Sequence, residues 1–147
     1  IEEREVACLD FWCSDGRGIK RFVEDCTKKC KYRYSETVVL TEDDLKVIRA
    51  KLDSAYSGSD VVGEATMEYI FNGIDNDFDY EDSMEDICAK AKKIGADINT
   101  VLMAARNFWW GCEDMTYRTF LSFRRFINGI ANMGINDNYE LVCWCSE

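Results

Sequence analysis

Residues 97–134 read DINTVLMAARNFWWGCEDMTYRTFLSFRRFINGIANMG, and this stretch decides the fold. Ile98, Val101, Leu102, Ala105, Phe108 and Trp109 recur at spacings of three and four, as do Phe120, Phe123, Phe126, Ile127 and Ile130. That is the period of a helix with one apolar face, not of a strand. Asp97 stands where an N-cap belongs, because its carboxylate can accept from the free backbone N–H groups of a first turn. Gly134 stands where a helix stops. The expectation is one helix from Asp97 to Trp110 and a second over 114–132.

Working outward, the same period recurs upstream. Met84, Ile87, Cys88, Ala91 and Ile94 predict a helix over 82–94. Val61, Val62, Ala65, Met67, Ile70 and Phe71 predict another from Asp60 to Asn72, after a break at Ser57-Gly58-Ser59. Thr41 opens a helix whose first turn carries Asp43 and Asp44, placed to suit the helix dipole. Its apolar residues are Leu45, Val47, Ile48 and Leu52. Ile19, Phe22, Val23, Cys26 and Cys30 predict a helix over 17–33. Residues 36–40 (ETVVL) form a short extended link, and the tail 135–147 reads as extended or as one helical turn. The expected architecture is a single all-α domain, 1–147, of six to seven helices. The absence of proline fits this fold.

Composition narrows the function. The chain has 147 residues, 47% apolar and 31% charged, which suits one ordered domain with a real core. Eighteen basic residues against 28 acidic ones give a formal charge of −10, which disfavours nucleic acid and anionic membranes as partners. No apolar run approaches the ~18–20 residues of a membrane span. There is no histidine, so Ser-His-Asp and Cys-His nucleophiles and histidine zinc sites are excluded as usually built. With 28 acids some carboxylate pair is always available, so that signal carries nothing. No catalytic residue, metal ligand or cofactor is assigned.

Eight cysteines, Cys8, Cys13, Cys26, Cys30, Cys88, Cys112, Cys143 and Cys145, read as a disulfide framework of an extracellular protein. Ile1 in place of Met is what removal of a signal peptide would leave. Cys26-x3-Cys30 and Cys143-x-Cys145 also offer four thiolates to zinc, but the scattering of the other four favours disulfides. The pairing does not follow from the spacing.

Three clusters invite a functional reading. The acidic run from Asp75 to Asp82 alternates oxygen ligands like a calcium loop. Tyr80 stands where that loop needs glycine and Asp86 where it needs glutamate, so a solvated loop before the next helix is preferred. The run Phe108-Trp109-Trp110 cannot face one side of a helix. It reads either as core packing or as the wall of an apolar pocket. Arg118, Arg124 and Arg125 lie among Phe120, Phe123 and Phe126. They read either as a solvated basic face or as a clamp for an anionic head group. The lysines at 90, 92 and 93 read only as a solvated cluster.

The segments YEDSMEDICAKAKKI, NFWWGC and TFLSFRRFINGIANMG resemble the C-terminal half of the short "D-seven" salivary proteins of mosquitoes, members of the odorant-binding-protein superfamily. The cysteine and tryptophan content is also similar to that of small cysteine- and tryptophan-rich mosquito salivary proteins. The Cys26-x3-Cys30 helix, followed by LTEDDL, is similar to the superfamily's second-helix cysteine pattern. The spacing of Cys8 and Cys13 departs from it.

The resemblance implies a disulfide-linked helical fold around a small-molecule cavity. It implies a Cys88–Cys112 bridge, with Cys143 or Cys145 reaching back to the N-terminal half. It also places Arg125 and Asn128 where amine-binding members carry two acids, so an ammonium site is lost and an anionic lipid fits better.

The expected function is therefore non-catalytic, in the saliva of a blood-feeding insect. A secreted monomer would sequester a small host haemostatic or inflammatory mediator, with Trp109, Trp110, Tyr117, Phe120, Phe123, Arg124 and Arg125 at the site. The alternative is a cavity-free inhibitor that binds a host plasma protein: a protease, a complement factor or a receptor.

Overall fold

A computed structural model describes residues 16–28, 38–72, 80–112, 115–133 and 141–143. Among these the fold is all-α, with seven helices and one small antiparallel ribbon. The helices are α1 (Gly16–Thr27), α2 (Glu42–Tyr56), α3 (Ser59–Val62), α4 (Glu64–Phe71), α5 (Tyr80–Lys93), α6 (Ile98–Cys112) and α7 (Tyr117–Met133). The ribbon joins β1 (Val38–Leu40) to β2 (Leu141–Cys143), with Val39 opposite Val142. The extended link read at 36–40 is thus half of a ribbon, and part of the tail completes it.

The helix starts follow local chemistry. Asp44 N–H donates to Thr41 Oγ1 at 3.2 Å, and Thr41 N–H donates to Asp44 Oδ2 at 2.9 Å, a reciprocal capping box that starts α2. Asp97 Oδ2 accepts from Thr100 N–H at 3.4 Å and from its hydroxyl, before the first turn of α6. Thr119 N–H donates to Thr116 Oγ1 at 3.2 Å ahead of α7. Each such cap is worth about 1 kcal/mol.

Helix ends shift by two or three residues where α5 begins at Tyr80, α6 runs on to Cys112 and α7 begins at Tyr117, and two further boundaries differ for a reason in the backbone. The helix over 17–33 ends at Thr27, because Lys28 takes a left-handed conformation (φ 62°) while its N–H still reaches Glu24 O at 2.7 Å. Cys30 lies outside the described residues. The helix over 60–72 is broken in two at Gly63, whose φ of 98° no side-chain-bearing residue adopts without strain.

The core is a helical layer around α6, which packs along α2 and α5 and meets α3. Ile48, Leu52, Met67, Ile70, Ile87, Val101, Phe108 and Phe120 are fully buried. Val47, Val61, Ile94 and Ile98, read on apolar faces in the sequence, are exposed. Two close approaches fix the packing. A Cβ added at Gly58 would stand 3.1 Å from Ala104 Cα, and one at Gly111 would stand 2.7 Å from Ala55 Cβ. Lys90 of α5 donates to Ile70 O at 3.2 Å and to Asn72 O, so it caps the end of α4 rather than standing in solvent. No described helix is long and apolar enough to cross a membrane.

Candidate functional site

The helical period sets Tyr117, Phe120, Leu121 and Arg124 along one face of α7. This face has an aromatic part and a polar part. In the aromatic part, Tyr117 stacks on Phe71 (5.3 Å, 16° between planes), and Phe108 meets both edge-on at 5.1 and 5.0 Å. Phe120 lies 5.2 Å from Phe108. Phe123 points elsewhere, edge-on to Phe22 of α1 at 6.1 Å.

The polar part begins where this cluster reaches α2. The Tyr56 ring lies 6.5 Å from Phe120, and the Arg124 guanidinium sits 3.8 Å above that ring. Stacking of this kind suits guanidinium, which is planar and weakly hydrated. Arg124 Nη2 also pairs with Asp53 Oδ1 at 3.3 Å. The Tyr56 hydroxyl donates to Glu64 Oε1 at 3.0 Å, and Arg125 pairs with Glu64 Oε2. Arg49 Nε donates to Asn128 Oδ1 at 3.4 Å. Polar links therefore tie α7 to α2 and α4.

Three buried polar atoms in this region are poorly satisfied: Arg124 Nε has no hydrogen-bond partner, and Ser59 Oγ and Tyr117 Oη face each other and find no third group. Ser59 is 0% exposed and Tyr117 is 3% exposed. A buried polar group without a partner costs about 1–3 kcal/mol, so three poorly satisfied ones near one seam need a reason. Burial pushes the Tyr117 phenol up to about 12, with Tyr56, Glu64 and Glu68 adding to the rise and the Ser59 hydroxyl partly offsetting it. Burial also raises Tyr56, helped by its bond to the Glu64 carboxylate. All three groups can donate, and the two hydroxyls can also accept. The nearby carboxylates, Asp53 and Glu64, are already engaged by Arg124, Arg125 and Tyr56. The arrangement suits an oxygen-bearing group better than a cation.

The residues singled out in the sequence divide as follows. Tyr117, Phe120 and Arg124 share the α7 face. Trp109 is half-buried, 6.3 Å from the Phe71 ring, while Trp110 is 80% exposed. Phe108, Trp109 and Trp110 thus point three ways, as their adjacency requires. Arg125 is exposed and held by Glu64. Tyr56, Ser59, Asp53 and Glu64 are site residues that the sequence reading passed over. Ser59 sits in a Ser-Gly-Ser break, which reads as solvent-facing until Gly58 is seen against Ala104.

Cys26, Cys88 and Cys112 are free thiols in the structure. Cys8, Cys13, Cys30 and Cys145 lie outside the described residues, as does the start of the acidic run at 75–79, and Cys143 is described only as strand backbone. Among the described residues no cluster of three or more carboxylates and cysteines is arranged to hold a metal.

Set against known proteins, the chain matches no family model, no curated protein and no solved structure. The likeness to the odorant-binding-protein superfamily rests on the sequence motifs quoted above.

Proposed function

We propose that this protein is a secreted, non-catalytic binder of a small apolar mediator with an oxygen-bearing head group, an anionic lipid being the preferred class. One observation carries the reading: Arg124 Nε is buried without a partner, and Ser59 Oγ and Tyr117 Oη are buried with no partner but each other, beside a wall of aromatic rings. An incoming carboxylate or hydroxyl supplies the acceptor that Arg124 Nε lacks and a further partner for the two hydroxyls, and the aromatic wall takes the apolar portion. A biogenic amine is disfavoured, because Asp53 and Glu64 already have cationic partners. The scaffold in this reading is an odorant-binding-like helical frame held by disulfides. It acts in the saliva of a blood-feeding insect on a host haemostatic or inflammatory mediator.

Titration calorimetry with long-chain fatty-acid carboxylates, their oxygenated derivatives and biogenic amines tests this. The expected result is heat from the lipids and none from the amines. Arg124→Met is expected to weaken lipid binding about tenfold or more, the loss of a charge-assisted hydrogen bond. No heat from any lipid overturns the reading.

A second reading has its own observation. Trp110 is 80% exposed and Met103, two turns earlier on α6, is 51% exposed. Exposed Trp and Met on one helical face are what a protein-binding hot spot uses. Here the protein inhibits a host plasma protein. Capture from plasma at physiological salt, abolished by Trp110→Ala and weakened as salt rises, supports it. Capture by Trp110→Ala at the wild-type level removes it.

A further inference from the structure

Asp53 and Tyr56 stand one turn apart on α2 and hold the same guanidinium from two sides. The central carbon of Arg124's guanidinium lies 3.8 Å from the centre of the Tyr56 ring, and Asp53 Oδ1 lies 3.3 Å from Nη2. Nη2 and Nε carry hydrogens along one edge of a guanidinium, an edge on which a carboxylate can bind with both oxygens. Here that edge is half used: Asp53 takes Nη2, while Nε is buried and has no partner. The guanidinium itself is held in place. The Tyr56 ring beneath it is tied through its hydroxyl to Glu64, and Glu64 is tied to Arg125. Asp53 is the loose member. Its side chain is exposed, so water takes up the carboxylate on release, and exposed ion pairs of this kind are weak.

We infer that Asp53 is the specificity residue of the proposed binding site, a built-in competitor that a carboxylate head group displaces and a neutral one does not. The inference rests on the lipid-binding reading above and narrows its head group. A head group that meets both Nη2 and Nε takes the place that Asp53 holds. A carboxylate does so with its two oxygens, satisfies the buried Nε and repels Asp53 toward water. The charge balance at Arg124 is then unchanged, one carboxylate standing for another. A hydroxyl offers a single oxygen. It accepts from Nε, leaves Asp53 on Nη2 and brings no charge to replace it. Asp53 therefore sets a threshold that separates fatty acids from fatty alcohols of the same length.

Titration calorimetry of the full chain with decanoate and with decanol tests this, in wild type and in Asp53→Asn. The substitution keeps the side chain's shape and removes the competing charge. Decanoate is expected to bind Asp53→Asn about five times more tightly than wild type, the weight of an exposed ion pair, while decanol binds both alike. Asp43→Asn removes the same charge from the first turn of α2, at the far end of the helix, and is expected to leave decanoate affinity at the wild-type level. Equal decanoate affinity in wild type and Asp53→Asn overturns the inference and leaves the lipid reading standing. So does a gain for decanol as large as for decanoate, or an equal gain in Asp43→Asn, since either would make Asp53 one more surface charge. No binding of decanoate by any of the three proteins overturns both.

Discussion

The two parts of the α7 face obey different rules. Around Tyr117, Phe108 and Phe120 the rings are matched on every side, because apolar surface asks only for contact and can find it in many geometries. Along the seam with α2 and α4, polar atoms need partners at set distances and angles. Tyr56, Glu64 and Arg125 find them, whereas Arg124 Nε does not, and Ser59 Oγ and Tyr117 Oη have only each other. Tyr117 belongs to both regions: its ring is fully packed and its hydroxyl has only Ser59. Stability lives in the first region, and the second is where the proposed ligand would bind.

That contrast can be broken from either side. The largest effect belongs to the aromatic region. Phe120→Ala is expected to cost about 3–5 kcal/mol in a urea melt, because the surrounding rings cannot close over the space. A cost below about 1 kcal/mol would mean the rings are not matched as described.

Alkali comes next. Cys26 and Cys112 rise from an ordinary 9.0 to about 11 and about 12, and Tyr117 from 10.0 to about 12. The unfolded chain gives up these protons first, so the folded state binds more of them as pH climbs. The reduced protein is expected to keep their full contribution below about pH 9 and lose it progressively toward pH 12. In Tyr117→Phe the decline above about pH 10 should be shallower. A stability that stays flat to pH 11 would sink the argument from burial.

Smaller still, Glu64→Ala removes the acceptor of both Tyr56 and Arg125 and should cost about 1–2 kcal/mol, since the site is partly exposed. The smallest effect is expected from Tyr117→Phe at neutral pH. With only the Ser59 hydroxyl beside the phenol, it should change stability by less than about 1 kcal/mol. A larger loss would show that the phenol has a stronger partner and would move the site elsewhere.

Much of the frame was legible in the sequence because its signals are local. Thr41 and Asp97 start helices with side-chain oxygens that need only the next three residues. The apolar period marks the buried faces of α2, α5, α6 and α7. What was not legible depends on long-range contact or on backbone hand. Nothing in the residues around Lys28 announces a left-handed conformation, and Gly63 in a helical pattern reads as a tolerated glycine. Tyr117 and Arg124 could be picked by type and spacing. Tyr56, Ser59 and Glu64 became site residues only when α7 was laid across α2 and α4.

The small ribbon between β1 and β2 sets a timetable for synthesis. Caps and helices form from neighbouring residues and can begin while the chain is still emerging from the ribosome. Val38–Leu40 must wait for Leu141–Cys143, so its backbone N–H and C=O groups stay open to other strands through most of translation. For a nascent chain this is an interval in which the strand can pair with the wrong molecule, and it closes only after the seven described helices have been made.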